Sequence, residues 1–125
     1  MEIKSITDLI GKTIINIVGM EKGSECIDIY TSDGMMYQMY HEQCCCEDVT
    51  VDDVCGDIQD LMGVPLLVVE ERTSEENPPD VKDVEWQDSF TWTFYHFATS
   101  KGYLDLRWYG SSNGYYSERV DFKQI

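Results

Sequence analysis

Between residues 13 and 41 apolar side chains recur at alternate positions, the spacing of strands with one buried face. Residues 13–18, β-branched and bounded by Gly11 and Gly19, predict a first strand. Ile27 and Ile29 share one face of residues 26–31, Ser32-Asp33-Gly34 supplies a turn, and residues 35–41 return, so this stretch predicts a hairpin. The period then changes. Across 51–62, Val51, Val54, Cys55, Ile58, Leu61 and Met62 stand three and four apart, while Asp52, Asp53, Asp57, Gln59 and Asp60 fill the other side. That pattern predicts one main amphipathic helix. Thr50 and Asp53 have the spacing of a capping box, and Gly63 followed by Pro65 ends the segment. Gly56 inside a helix costs about 1 kcal/mol against Ala, which implies a close approach at that point.

Residues 65–70 form a short apolar run that predicts a buried strand. Residues 73–88, with Pro78, Pro79 and many carboxylates, predict an exposed acidic loop. The last third predicts a three-stranded meander over 89–98, 103–109 and 115–122, with turns at 100–102 and 110–114. Phe90, Trp92, Phe94 and His96 share one face of its first strand, and Leu104, Leu106 and Trp108 one face of its second. Those faces are expected to form the core. The fold class expected is α+β: a single domain over 1–125, mostly antiparallel sheet, with the 51–62 helix packed on it.

Composition adds a strong electrostatic constraint. Twenty-four Asp and Glu against nine Lys and Arg leave a formal net charge of -15. Such a surface repels nucleic acid and anionic membranes and attracts basic partners. With 42% hydrophobic residues the chain has enough apolar matter to fold. The opening Met1-Glu-Ile-Lys-Ser has no basic segment leading into an apolar stretch, and no run approaches the ~18 apolar residues that cross a bilayer, so a soluble, cytoplasmic protein is expected. The five cysteines, Cys26, Cys44, Cys45, Cys46 and Cys55, are odd in number with three adjacent, which suits thiols or metal ligands better than disulfides.

Three residue sets carry candidate chemistry. Zinc takes soft ligands in a tetrahedron, and His41, Cys45, Cys46 and Cys55 could supply them, although no C-x-x-C spacing occurs. Twelve of fifteen aromatics fall between Trp86 and Phe122, more than one core face needs, so some are expected to face outward. Tyr95, Tyr109 and Tyr115 with Arg107 and Arg119 could hold a small nucleotide by stacking and phosphate clamping, or they could cover a homodimer surface. The third set is acidic: Asp52, Asp53, Asp57 and Asp60 on the expected helix, with Glu70, Glu71, Glu75 and Glu76 after it. No G-x-S-x-G, H-E-x-x-H or glycine-rich phosphate loop is present, and no catalytic residue is assigned.

His41-Glu-Gln-Cys-Cys-Cys-Glu47, Cys55-Gly-Asp57, the residues 89–95 and the residues 107–118 together resemble a family of small uncharacterised bacteriophage and prophage proteins. The similarity spans most of the chain after Tyr37. In that family the position of Cys44 is often Asp, which leaves His41, Cys45 and Cys46 as the matching set. The resemblance implies a phage context, in which small acidic proteins counter host defence. The expected function is therefore an acidic binding protein that inhibits a bacterial defence factor, such as a CRISPR effector, by mimicking nucleic acid in a basic groove. The alternatives are a sponge for a small nucleotide signal and a zinc protein or hydrolase centred on His41, Cys45 and Cys46.

Overall fold

The computed structural model describes residues 5–42, 47–79, 89–112 and 117–125. Among these residues eight strands form two four-stranded antiparallel sheets. The first sheet has the order β1 (Ile14–Val18), β2 (Cys26–Thr31), β3 (Met36–Tyr40) and β8 (Asp121–Gln124). The second has the order β4 (Asp48–Cys55), β7 (Gly102–Ser112), β6 (Ser89–Thr99) and β5 (Val68–Ser74). Two short 3-10 turns, Ile6–Leu9 and Ile58–Leu61, are the only helical elements among the described residues. None is long and apolar enough to cross a membrane.

The architecture corrects the α+β expectation, and the error traces to a β-bulge. Residues 51–62 are not a helix: they hold the second half of β4, a connection through Gly56, and one 3-10 turn. In β4, Val51 lies opposite Trp108, whereas Asp53 lies opposite Arg107 and Val54 opposite Leu106. The ladder therefore skips Asp52, and the extra residue turns a two-residue apolar repeat into the three-residue spacing Val51–Val54. A bulge in a strand thus imitates helical periodicity. The expectation of close approach at Gly56 holds in this different setting. Gly56 sits at φ 130°, and a Cβ there would lie 2.8 Å from the Tyr103 carbonyl oxygen and 3.0 Å from the Leu104 Cα.

One buried cluster draws on both sheets. It includes Ile17, Ile27, Ile29, Tyr37 and Met39 from the first, Val49, Val51, Val69, Tyr95, Phe97, Leu104, Leu106 and Trp108 from the second, and Ile6, Leu9 and Leu61 from the 3-10 turns. The Leu104, Leu106 and Trp108 face is the core face, as expected. On β6 the parity is reversed: Thr93, Tyr95, Phe97 and Thr99 are buried, and Phe90, Phe94 and His96 lie half-buried on the opposite face. The meander is also shorter than expected. The last strand, β8, leaves the second sheet and pairs with β3, Met39 opposite Phe122. Residues 73 and 74, expected in a loop, close β5, and residues 80–88 of that loop lie outside the described residues.

Backbone hydrogen bonds join the sheets at two places. Val51 N–H donates to Ser24 O and Gly23 N–H to Val51 O, both at 2.8 Å, beside the β4 bulge. At the other place Gly11 N–H donates to Leu66 O at 2.7 Å and Gly63 N–H to Ile14 O at 2.9 Å. Lys12 then closes the β2–β3 turn from outside, its Nζ 2.7 Å from Asp33 Oδ2. That hydrogen bond, seconded by the Thr31 hydroxyl, holds the Asp33 carboxyl down to about 2 from its usual 3.8.

Two predictions follow from these contacts. Gly56→Ala should lower the unfolding free energy by about 2–4 kcal/mol, against about 1 kcal/mol for Gly11→Ala, which shares a positive φ but would meet nothing within 4 Å. Urea titration of both variants measures the difference, and equal losses would show that crowding at Gly56 is unimportant. Because the folded pKa of Asp33 is depressed, its contribution is present above its unfolded pKa and disappears as pH falls toward 2. Between about pH 5 and pH 2, Asp33→Asn should accordingly lose less stability than the parent protein.

Candidate functional site

The strict alternation of β6 and β7 that fills the core also builds the opposite face of the second sheet. Across the four strands, Thr50, Tyr109, Trp92 and Ser74 form one row, Asp53, Arg107, Phe94 and Arg72 the next, and Cys55, Asp105, His96 and Glu70 a third. The first row is an aromatic cover. The Trp92 and Tyr109 ring centroids are 4.6 Å apart, Phe90 stacks on Tyr109, and Trp92 Nε1 donates to Asn77 Oδ1 at 3.0 Å. Trp92 is consequently only 2% exposed while lying outside the core cluster.

The second and third rows frame a groove of about 400 Å3. Arg107 is part of its lining, with Nε and Nη2 placed 2.8 and 2.6 Å from Asp52 Oδ2 and the guanidinium over the Trp92 ring. Arg72 lies over Phe94 at 4.8 Å, and His96 Nδ1 is 2.5 Å from Asp105 Oδ1. Asp53, Glu70, Glu71 and Asp105 complete the lining, four carboxylates against two guanidiniums. The groove therefore carries a net negative field and is poorly suited to a phosphate.

The acidic candidates do not share a helical ridge. Asp52, at the bulge, is committed to Arg107; Asp57 caps the second 3-10 turn by accepting from Gln59 N–H at 2.9 Å; Asp60 follows within that turn. Asp53, Glu70 and Glu71 instead meet at the groove, and exposed Glu75 and Glu76 continue the line past the end of β5. Arg72, Phe94, His96 and Asp105 belong to the groove but escape a reading of sequence. Their signal is parity with Arg107, and it becomes usable only once the core face of β6 is known.

The nucleotide candidates separate. Tyr95 points into the core, where burial, then a hydrogen bond to Glu71, pushes its phenol above its usual range. Arg107 and Tyr109 lie on the outer face, and exposed Arg119 pairs with Asp121 at 3.2 Å ahead of β8. Tyr115 lies outside the described residues.

The metal candidates separate as well. Cys55 ends β4, and His41 is held beside Glu47, just before that strand begins, roughly 25 Å away along eight extended residues. Cys45 and Cys46 lie outside the described residues, among which no group of three or more His, Cys, Asp or Glu could hold a metal ion. His41 has a clear structural task. Its side chain is 3% exposed and that of Glu47 is 1% exposed, with Nε2 to Oε1 at 3.0 Å. Nδ1 lies 2.8 Å from the Arg119 carbonyl oxygen, which can only accept, so Nδ1 is the donor of that hydrogen bond and Nε2 is the ring nitrogen that faces Glu47. The pair ties the ends of the cysteine-bearing connection to the segment before β8. Glu118, 8% exposed, performs a parallel role by accepting from the Thr91 and Ser112 hydroxyls at 2.9 and 2.6 Å.

A family described as a domain of unknown function (DUF7448) matches residues 7–122. No curated protein and no solved structure matches the chain.

If the His41–Glu47 pair is a clasp, Glu47→Ala should cost about 3–5 kcal/mol by leaving a buried polar partner unmatched, and His41→Phe combined with Glu47→Leu should recover much of that loss. Urea midpoints of the single and double variants test this. Near-wild-type stability of Glu47→Ala would remove the clasp.

Proposed function

The chain belongs to the DUF7448 family, whose description leaves function open, and we propose that it is an acidic, non-catalytic binding protein that occupies the basic groove of a nucleic-acid-handling protein. The observation that carries this reading is the second sheet's outer face, where Asp53, Glu70 and Asp105 line one concavity, with Glu71 of the opposite parity also in its lining, and both arginines of that described lining are already engaged. Glu75 and Glu76 extend that field along the sheet edge, and the net charge of -15 supplies long-range steering toward lysines and arginines. The aromatic cover beside the groove adds apolar contact area with polar tips.

The likeness to phage and prophage proteins extends the proposal. In a bacterial cytoplasm such a surface would compete with nucleic acid for a defence factor, a CRISPR effector being one example. Edge carboxylates also discourage strand-to-strand aggregation, which is a competing purpose for Glu70, Glu75 and Glu76. Reversing their sign keeps the edge charged, and so separates the two roles.

The test is capture of host proteins by the tagged protein, with duplex DNA as competitor. Captured basic proteins should be displaced by DNA, lost between about 50 and about 500 mM salt, and reduced at least about tenfold by the combined change Asp53→Lys, Glu70→Lys, Glu75→Lys and Glu76→Lys. Capture that survives both high salt and charge reversal in a folded variant would overturn the proposal.

A further inference from the structure

Thr93, on the core face of β6, is 2% exposed, and its Oγ1 has no hydrogen-bond partner. Among the described residues the one other buried side-chain atom in that state is Nε1 of Trp108, its neighbour directly across the ladder. A hydroxyl taken out of water without a partner is a cost that folding does not normally leave standing, so its surroundings are informative. Thr93 lines a cleft of about 280 Å3 shared with Glu71 and Thr73 of β5 and with Asp121 and Phe122 of β8. β5 and β8 are edge strands of their respective sheets, and the cleft lies between them.

The lining has more acceptors than donors. Glu71 accepts from the Tyr95 phenol, and Asp121 accepts from Glu42 N–H at 3.0 Å and Arg119 Nε at 3.2 Å, yet each carboxylate has about four acceptor sites. Among the described residues Arg119 is the only cation of the lining, and its side chain is 76% exposed. Ile6, Val120 and Phe122 supply an apolar wall. An apolar stem ending in three donors and a positive charge satisfies this arrangement: methylenes against the wall, ammonium hydrogens toward Thr93 Oγ1, Glu71 and Asp121. A guanidinium is planar and spreads its donors in a fixed fork, a weaker match to a converging set.

We propose that the cleft between β5 and β8 is a receptor for a lysine side chain of the basic partner. The inference rests on the binding reading above but concerns a different surface, beside the sheet edges and apart from the outer groove. Glu71 belongs to the lining of both, which makes the cleft a second anchor next to the first.

The test uses Nα-acetyl-lysine amide as probe, with the uncharged Nα-acetyl-norleucine amide as control, followed by amide chemical shifts in NMR titrations. The lysine probe should give saturable shifts centred on Thr93, Val120 and Asp121, and norleucine none. Thr93→Val, which removes the unpartnered hydroxyl and should fold at least as stably as the parent, should weaken binding at least about fivefold, as should Glu71→Gln. A cleft that holds only water gives no saturable shift with either probe, and that result overturns the inference, as would equal responses to the two probes or unchanged affinity in both variants. Should the probe fail while salt-sensitive, DNA-displaceable capture persists, the lysine receptor falls and the wider binding reading stands.

Discussion

The eleven-residue pairing between β6 and β7 governs everything else in this protein. It runs from Ser89 opposite Ser112 to Thr99 opposite Gly102 without a break, so one choice of parity sorts every side chain of both strands at once. With Tyr95, Phe97, Leu104, Leu106 and Trp108 committed to the core, Trp92, Phe94, His96, Asp105, Arg107 and Tyr109 are placed on the outer face. The candidate groove is the reverse side of the core, and neither can shift without the other.

Charge is distributed in keeping with that frame. The strands bearing much of the acidic set, β4 and β5, are the edges of the second sheet, where carboxylates stay hydrated and self-repulsion is screened. Inside, the rule changes from hydration to pairing. Glu47 is matched by His41, and Glu118 by two hydroxyls, and both fasten a connection to the sheets. Buried carboxylates here do architectural work, while those at the groove and edge remain exposed to solvent. Thr93 and Trp108 depart from this rule among the described residues, and Thr93 adjoins the cleft between the two edge strands.

The fold was partly legible in the residues. The β2–β3 hairpin follows from alternation around Asp33-Gly34, and the observed register places Tyr30 opposite Met36 as that turn requires. Gly56 announced a close approach, and one exists. The groove was legible only in fragments: Asp53, Glu70 and Glu71 were grouped in the acidic set and Arg107 in the aromatic one, with nothing to say that the two sets meet. His96 and Asp105 could not be found without knowing which face of β6 is buried, because aromatic side chains occupy both faces of that strand.

From its sequence alone the protein's character was set: local turns, alternating strands, and an excess of carboxylates that makes a cationic partner the electrostatic expectation. These are properties of neighbouring residues or of sums over the chain. Tertiary structure decided that residues 48–55 extend rather than coil, that β8 joins β3 instead of β7, and that Tyr95 faces inward. Each depends on a distant ladder: the bulge at Asp52 exists only against Arg107 and Trp108, and a strand's inner face is defined only by the sheet that covers it.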